Sequence, residues 1–174
     1  MNTDKAHKAQ SCMCGQLSDT AVVDMGKESD KVFATLGQLR VRGEPYWWLA
    51  AYQCSVCGQA WLMGQESRQN DVYCLYRLDR DALQEILTNN HWPPVFERYE
   101  DLLRAGLEAG KQARFFDPMN AKSLRWTMAD VAKARPGITV AELSELFNLD
   151  AELAEEIARK VVAEEHVRID VDRR

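Results

Sequence analysis

With 174 residues, 46% of them hydrophobic, and a formal net charge of −5, the chain can fill the core of one compact domain or of two small ones sharing an interface, and disorder is not its expected state. The N-terminal MNTDKAHKAQ lacks a signal peptide's apolar core, and no later run reaches the roughly 20 apolar residues needed to cross a bilayer, so a cytoplasmic, bacterial protein is expected. Residues 1–138 carry 17 acidic and 17 basic side chains and residues 139–174 carry 10 and 5, so the C-terminal end should repel nucleic acid and acidic membranes.

Residues 1–11 are expected to form a flexible tail. Between about 32 and 78 the runs FATLGQLRV, YWWLAAYQC, QAWLMGQES and DVYCLYRL are rich in aromatic and β-branched residues and separated by turn residues, which predicts a small antiparallel sheet. In the last run Val72, Cys74, Tyr76 and Leu78 share one face, and Tyr73, Leu75 and Arg77 the other. Both faces are largely apolar, so both should be covered.

After Leu78 the period changes to that of a helix. Asp79 caps it, Leu83, Ile86 and Leu87 form its stripe, and Asn89-Asn90 ends it. His91-Trp92-Pro93-Pro94 breaks the chain before a second helix over 95–112, with Phe96, Tyr99, Leu102, Leu103 and Leu107 at helical spacing and Gly110 near its end. RFFDPMNAKSLRW reads as a strand and turn, although turn chemistry alone accounts for Phe116-Asp117-Pro118-Met119-Asn120. From Thr127 three helices and a terminal strand, VRIDV, are predicted, with Thr139 and Glu142 as a capping box and Asp150 as the cap of the last helix. This order resembles a winged helix-turn-helix over the last 48 or so residues. The predicted class is α+β: a zinc-binding domain over 12–125, then an acidic, mostly helical, winged-helix-like unit over 126–174.

The strongest chemical signal is Cys12-Met13-Cys14-Gly15 together with Cys54-Ser55-Val56-Cys57-Gly58, 39 residues apart. Paired cysteines at short spacing in a reducing compartment read first as metal ligands, and four thiolates suit one tetrahedral Zn2+. A glycine after each pair lets the chain turn tightly. Four protein ligands leave no open coordination position, so the expected zinc is structural, and its binding contributes folding free energy. The pattern is similar to a zinc ribbon from residue 12 to about 78, two knuckles carried on a small antiparallel sheet. Its second knuckle matches the family; its first has one residue between the cysteines where the family has two, and His7 is an alternative to either. A Cys54–Cys57 redox pair is the competing reading, without the βαβ context that usually accompanies one. Cys74 reads as a buried small hydrophobe; only His91 offers itself as a base near it, and His91 beside Trp92 reads as structural. His166 is expected at the surface near a helix C-terminus.

Three functions follow. The first is a non-catalytic protein-interaction module, because the last helix carries Glu152, Glu155, Glu156, Glu164 and Glu165 against Arg159 and Lys160, the wrong sign for a DNA reader and the right one for a basic partner. An immunity protein that covers the basic surface of a nucleic-acid-directed toxin, or an adaptor, is a concrete form of it; a solvated helix face is the plainer meaning of the same glutamates. The alternative is nucleic-acid binding or a transcription-associated role, as zinc ribbons have, with Arg40, Arg42 and Arg68 near Tyr46, Trp47, Trp48 and Trp61 as a single-strand patch; core packing is the plainer meaning of these aromatics. The third is catalysis through Glu97, Glu100 and Asp101. These carboxylates also suit a helix N-terminus, and neither a phosphate loop nor a Ser, His and Asp set is present, so no enzyme is expected.

Overall fold

The computed structural model describes residues 11–170, which leaves His7 and nearly all of the expected tail outside the described residues. Five strands, β1 (Thr20–Asp24), β2 (Leu36–Val41), β3 (Leu49–Cys54), β4 (Ala60–Glu66) and β5 (Val72–Leu78), form an antiparallel sheet in the order β1-β5-β4-β3-β2. β4 lies at its centre and is buried along nearly its whole length. The α+β class and the two covered faces of β5 are as expected. Val72, Cys74 and Leu78 face one apolar cluster with Leu49, Ala51 and Leu62, while Leu75 faces a second with Val23, Ala50, Trp61 and Met63.

The register of the predicted strands shifts inward. Phe33 ends a short helix, α1 (Lys27–Phe33), and Tyr46, Trp47 and Trp48 precede β3 as a loop. Neither β1 nor α1 has a clear sequence signature. Each is short, and α1 buries only Ser29 and Val32.

α2 (Arg80–Asn89) begins as predicted: the Asp79 carboxylate accepts from Ala82 N at 2.7 Å and Asn90 closes the helix in the left-handed region. Arg40 also secures its end, donating to the carbonyls of Ile86 and Leu87 at 2.9 Å. The second helix, α3 (Tyr99–Glu108), starts four residues later than its periodicity predicts. Phe96 adopts φ +58°, which no right-handed helix permits, and its ring packs at Gly64, where an added Cβ would lie 2.4 Å from Leu102 Cδ2 and 3.3 Å from Phe96 Cδ2. The strand expected within 114–126 does not form. Phe116 is fully exposed, Asp117 caps a 3-10 turn at Pro118–Asn120, and the helix expected from Thr127 begins at Lys122.

α4 (Lys122–Ala134), α5 (Val140–Leu146) and α6 (Ala151–Glu165) complete the chain with a two-residue parallel pair, β6 (Ile138–Thr139) and β7 (Ile169–Asp170). Leu124, Met128, Leu143 and Ile157 extend the cluster that begins on the sheet. A buried carboxylate ties these helices together: Glu100 pairs with Arg104 at 2.6 Å and Arg135 at 3.3 Å, and Arg135 reaches Glu142 at 2.7 Å.

The predicted capping box is present. Thr139 Oγ1 accepts from Glu142 N at 3.2 Å and Glu142 Oε2 accepts from Thr139 N at 3.0 Å. The Thr139 amide, with the Thr139 hydroxyl and Arg135, holds the Glu142 carboxyl below its ordinary value despite some burial. Its stabilisation is therefore complete above the ordinary carboxylate pKa and lost as the pH falls through the depressed value. Glu142→Gln should cost about 1 kcal/mol in urea unfolding at neutral pH, and the difference from the parent should shrink in acid.

Candidate metal centre

Cys54 is the last residue of β3, paired in register with Leu36 of β2, so the sheet itself fixes its direction. The β3–β4 turn closes tightly: Cys54 N donates to Gln59 O and Gly58 N to Cys54 O, both at 2.9 Å. Gly58 is left-handed at φ +75°, as a knuckle glycine should be, whereas Gly15 is not among the positive-φ glycines. Thr35, the turn residue just before β2, secures the turn. Its carbonyl accepts from Ser55 N at 2.9 Å and from Ser55 Oγ at 3.1 Å, and its Oγ1 lies 3.4 Å from Cys54 Sγ.

The first knuckle, ending in a 3-10 turn at Cys14–Gln16, is tied down through β5. Arg77 Nη2 donates to the carbonyls of Leu17 at 2.8 Å and Cys14 at 3.3 Å, and its Nε reaches Asp19 at 2.8 Å. Its guanidinium lies over the buried Trp61 ring at 4.5 Å, and the Trp61 indole N–H donates to Cys14 Sγ at 3.4 Å. Arg77→Ala should therefore loosen residues 14–19 while leaving all four cysteines in place. We expect about tenfold faster metal loss to a chelator, as for other groups that orient ligands from behind, read by chelator competition kinetics.

The result is a cluster in which the sulfurs of Cys12, Cys14, Cys54 and Cys57 all lie within 4.8 Å of one another. A tetrahedron with metal–sulfur distances of roughly 2.3 Å has edges of about 3.8 Å, so a small contraction closes it. All four are free thiols. Burial pushes Cys14 up to about 12, against the Trp61 N–H. Burial also opposes ionisation of Cys54, but the Thr35 hydroxyl, the amides of Cys57 and Val56 and the Cys57 thiol together bring it down to about 6. At Cys12 the Cys14 amide favours the thiolate and is outweighed by the Cys57 and Cys54 thiols and burial, which raise it. Cys54 ionises readily while Cys12 and Cys14 resist, a conflict that a divalent metal would remove by displacing the protons. Among the described residues the cluster consists of four soft thiol donors, which suit a metal ion such as Zn2+.

Comparison with protein-family models, curated proteins and solved structures finds no match to this chain. The metal-binding reading therefore rests on the geometry of the cluster.

The other predicted residues separate. Cys74 is fully buried on the opposite face of the sheet, its thiol pushed up to about 12 by burial and then by Glu66, while His91 is exposed and lies 3.7 Å from Glu85. His166 is the left-handed cap of α6 at the surface. Of the α6 glutamates, Glu155 pairs with Arg159, Glu156 with Lys160 (3.7 Å), Glu164 with Arg125 (3.9 Å) and Glu165 with Lys133 (2.8 Å), leaving Glu152 without a partner among the described residues. The aromatic patch also divides. Arg40 is used on α2 and Trp61 lies beneath the cysteines, whereas Arg42 and Arg68 stay with Tyr46, Trp47 and Trp48. Glu97 pairs with Arg42, and Asp101 accepts from Arg98 N at 3.0 Å as the cap of α3. Thr35 and Arg77 carry no motif. A lone arginine on the apolar Tyr73 and Leu75 face of a strand was the available signal, since such a charge needs partners.

Proposed function

We propose that this chain is a non-catalytic module in which a structural Zn2+ on Cys12, Cys14, Cys54 and Cys57 holds the N-terminal segment on a ribbon-like sheet, and whose task is to bind another protein. The single observation that carries the metal is the convergence of the four sulfurs. Zinc bound there would supply fixed cross-linking between the two knuckles, and this chain's own residues do the rest: Thr35, Trp61 and Arg77 orient the sulfurs. A basic partner suits the acidic C-terminal segment, whose helices are read as winged-helix-like from their order, and an immunity or adaptor protein is the concrete form of this role. Among the described residues no helix is long and apolar enough to cross a membrane.

Elemental analysis of purified protein tests the metal, with one zinc per chain expected and a tetrahedral thiolate spectrum on cobalt substitution. Affinity capture with and without nuclease tests the partner class. One dominant basic protein in both conditions supports the module, and recovery lost with nuclease supports the zinc-ribbon nucleic-acid alternative.

A further inference from the structure

Between the β2–β3 loop and helices α3 and α4 lies a cleft of about 730 Å3, large enough for a segment of several residues. Its wall is aromatic. Tyr46, Trp47 and Trp48 meet Tyr99, with Trp47–Trp48 and Trp48–Tyr99 each at 90° and centroids 5.8 and 5.2 Å apart. The rings are locked from behind: Trp48 Nε1 donates to Phe96 O and the Tyr99 hydroxyl to Glu66, both at 2.9 Å. Arg42 lies 3.6 Å from the Tyr46 centroid and Arg68 3.9 Å from that of Tyr99, and each guanidinium is paired with a carboxylate, Glu97 and Asp130 respectively. A ligand thus meets a preformed surface and freezes few side chains on binding.

Several hydrogen-bonding groups at this wall are unused among the described residues, including the buried Nη1 of Arg42 and the buried Nε and Nη2 of Arg68. Among the described residues the Trp47 indole N–H and the Tyr46 hydroxyl have no hydrogen-bond partner. The charges are also nearly all committed. Lys133 pairs with Glu165 and Arg98 with Asp101, both at 2.8 Å, which leaves Glu44 as the charge of the lining without a partner among the described residues.

Aromatic faces beside free donors suit a ligand that offers apolar rings and unbonded carbonyls in a conformation already restricted before binding, which describes a polyproline II segment. The free carboxylate adds a preference for a cation. We propose that this cleft binds an extended, proline-rich segment of a partner protein carrying an arginine or lysine beside its prolines. The inference rests on the interaction reading and supplies its docking site. A nucleic acid strand fits less well, because both guanidiniums are paired and the free charge is a carboxylate.

The test uses the zinc-loaded full chain and a fluorescent hexaproline–arginine peptide, with glycine–serine and hexaproline–glutamate counterparts and an oligothymidine. Saturable binding of the proline–arginine peptide is expected. Trp47→Ala or loss of the prolines should weaken it about tenfold or more, and Glu44→Gln or loss of the arginine about threefold. Trp47 is 41% exposed, so zinc content and melting of Trp47→Ala should match the parent. Absence of saturable peptide binding, binding indifferent to Trp47→Ala, or preference for oligothymidine overturns the proposal. A partner protein whose binding survives Trp47→Ala would remove the cleft and leave the interaction reading standing, and zinc content measured on the same samples judges the metal separately.

Discussion

Cys54→Ser should abolish zinc binding and release the first knuckle from the sheet, with a loss of about 3–5 kcal/mol. Cys54 is 2% exposed, and its sulfur sits against Thr35 where a weakly ligating hydroxyl would leave the metal three thiolates. The apolar cluster on that face is the smaller of the two, and Cys14 and Cys54 belong to it, so a metal bound there would be a large share of what closes it. Without zinc, the Arg77 hydrogen bonds and the Trp61 contact would hold residues 14–19 alone. The melting temperature should fall by about 6–20 °C, taking roughly 2–4 °C per kcal/mol for a chain of this size. Hydrogen exchange should accelerate over residues 12–24 and change little in α4 to α6. Cys74→Ala should keep its zinc, because Cys74 lies on the other face. One zinc retained per chain in Cys54→Ser, with unchanged melting, would refute the assignment.

Glu66→Ala should be comparably severe for a different reason. Glu66 ends β4 with no exposure, and its carboxylate accepts from the amides of Arg68 at 3.1 Å, Gln69 at 2.9 Å and Asn70, and from the Tyr99 hydroxyl at 2.9 Å. It therefore closes the 67–71 turn and anchors the aromatic wall to the sheet. Burial, and after it the charge of Glu66, raises the Tyr99 hydroxyl above its ordinary value, so it remains a proton donor. Alanine would leave one buried and three part-buried donors without an acceptor, at about 3–5 kcal/mol. The denaturant midpoint should fall with zinc content unchanged, which separates this failure from that of Cys54→Ser. A midpoint within error of the parent would show that water replaces the carboxylate at no cost.

Much of the fold was legible locally. Asp79, the Thr139–Glu142 box and Asp150 start helices where they stand, because capping uses atoms within one turn of the chain. Alternation along β5 predicted two covered faces, since strand side chains must point both ways. The helix start at 95 failed because Phe96 obeys Gly64 and Leu102, residues that a helical period does not register. Short elements such as β1 were silent for the same reason: β1 is specified by its pairing with β5, Thr20 opposite Tyr76 and Asp24 opposite Val72.

The sequence by itself picked out the four cysteines that cluster and the sites of helix initiation, because cysteine spacing and capping are short-range properties of residue type. Tertiary structure alone decided what surrounds them. Pairing of β1 with β5 sets the first knuckle beside Arg77 and Trp61, and folding of the 46–48 loop against α3 builds the aromatic cleft. Arginine and tryptophan serve equally well as surface ligands or as buried struts, and only the long-range contacts each one makes choose between the two.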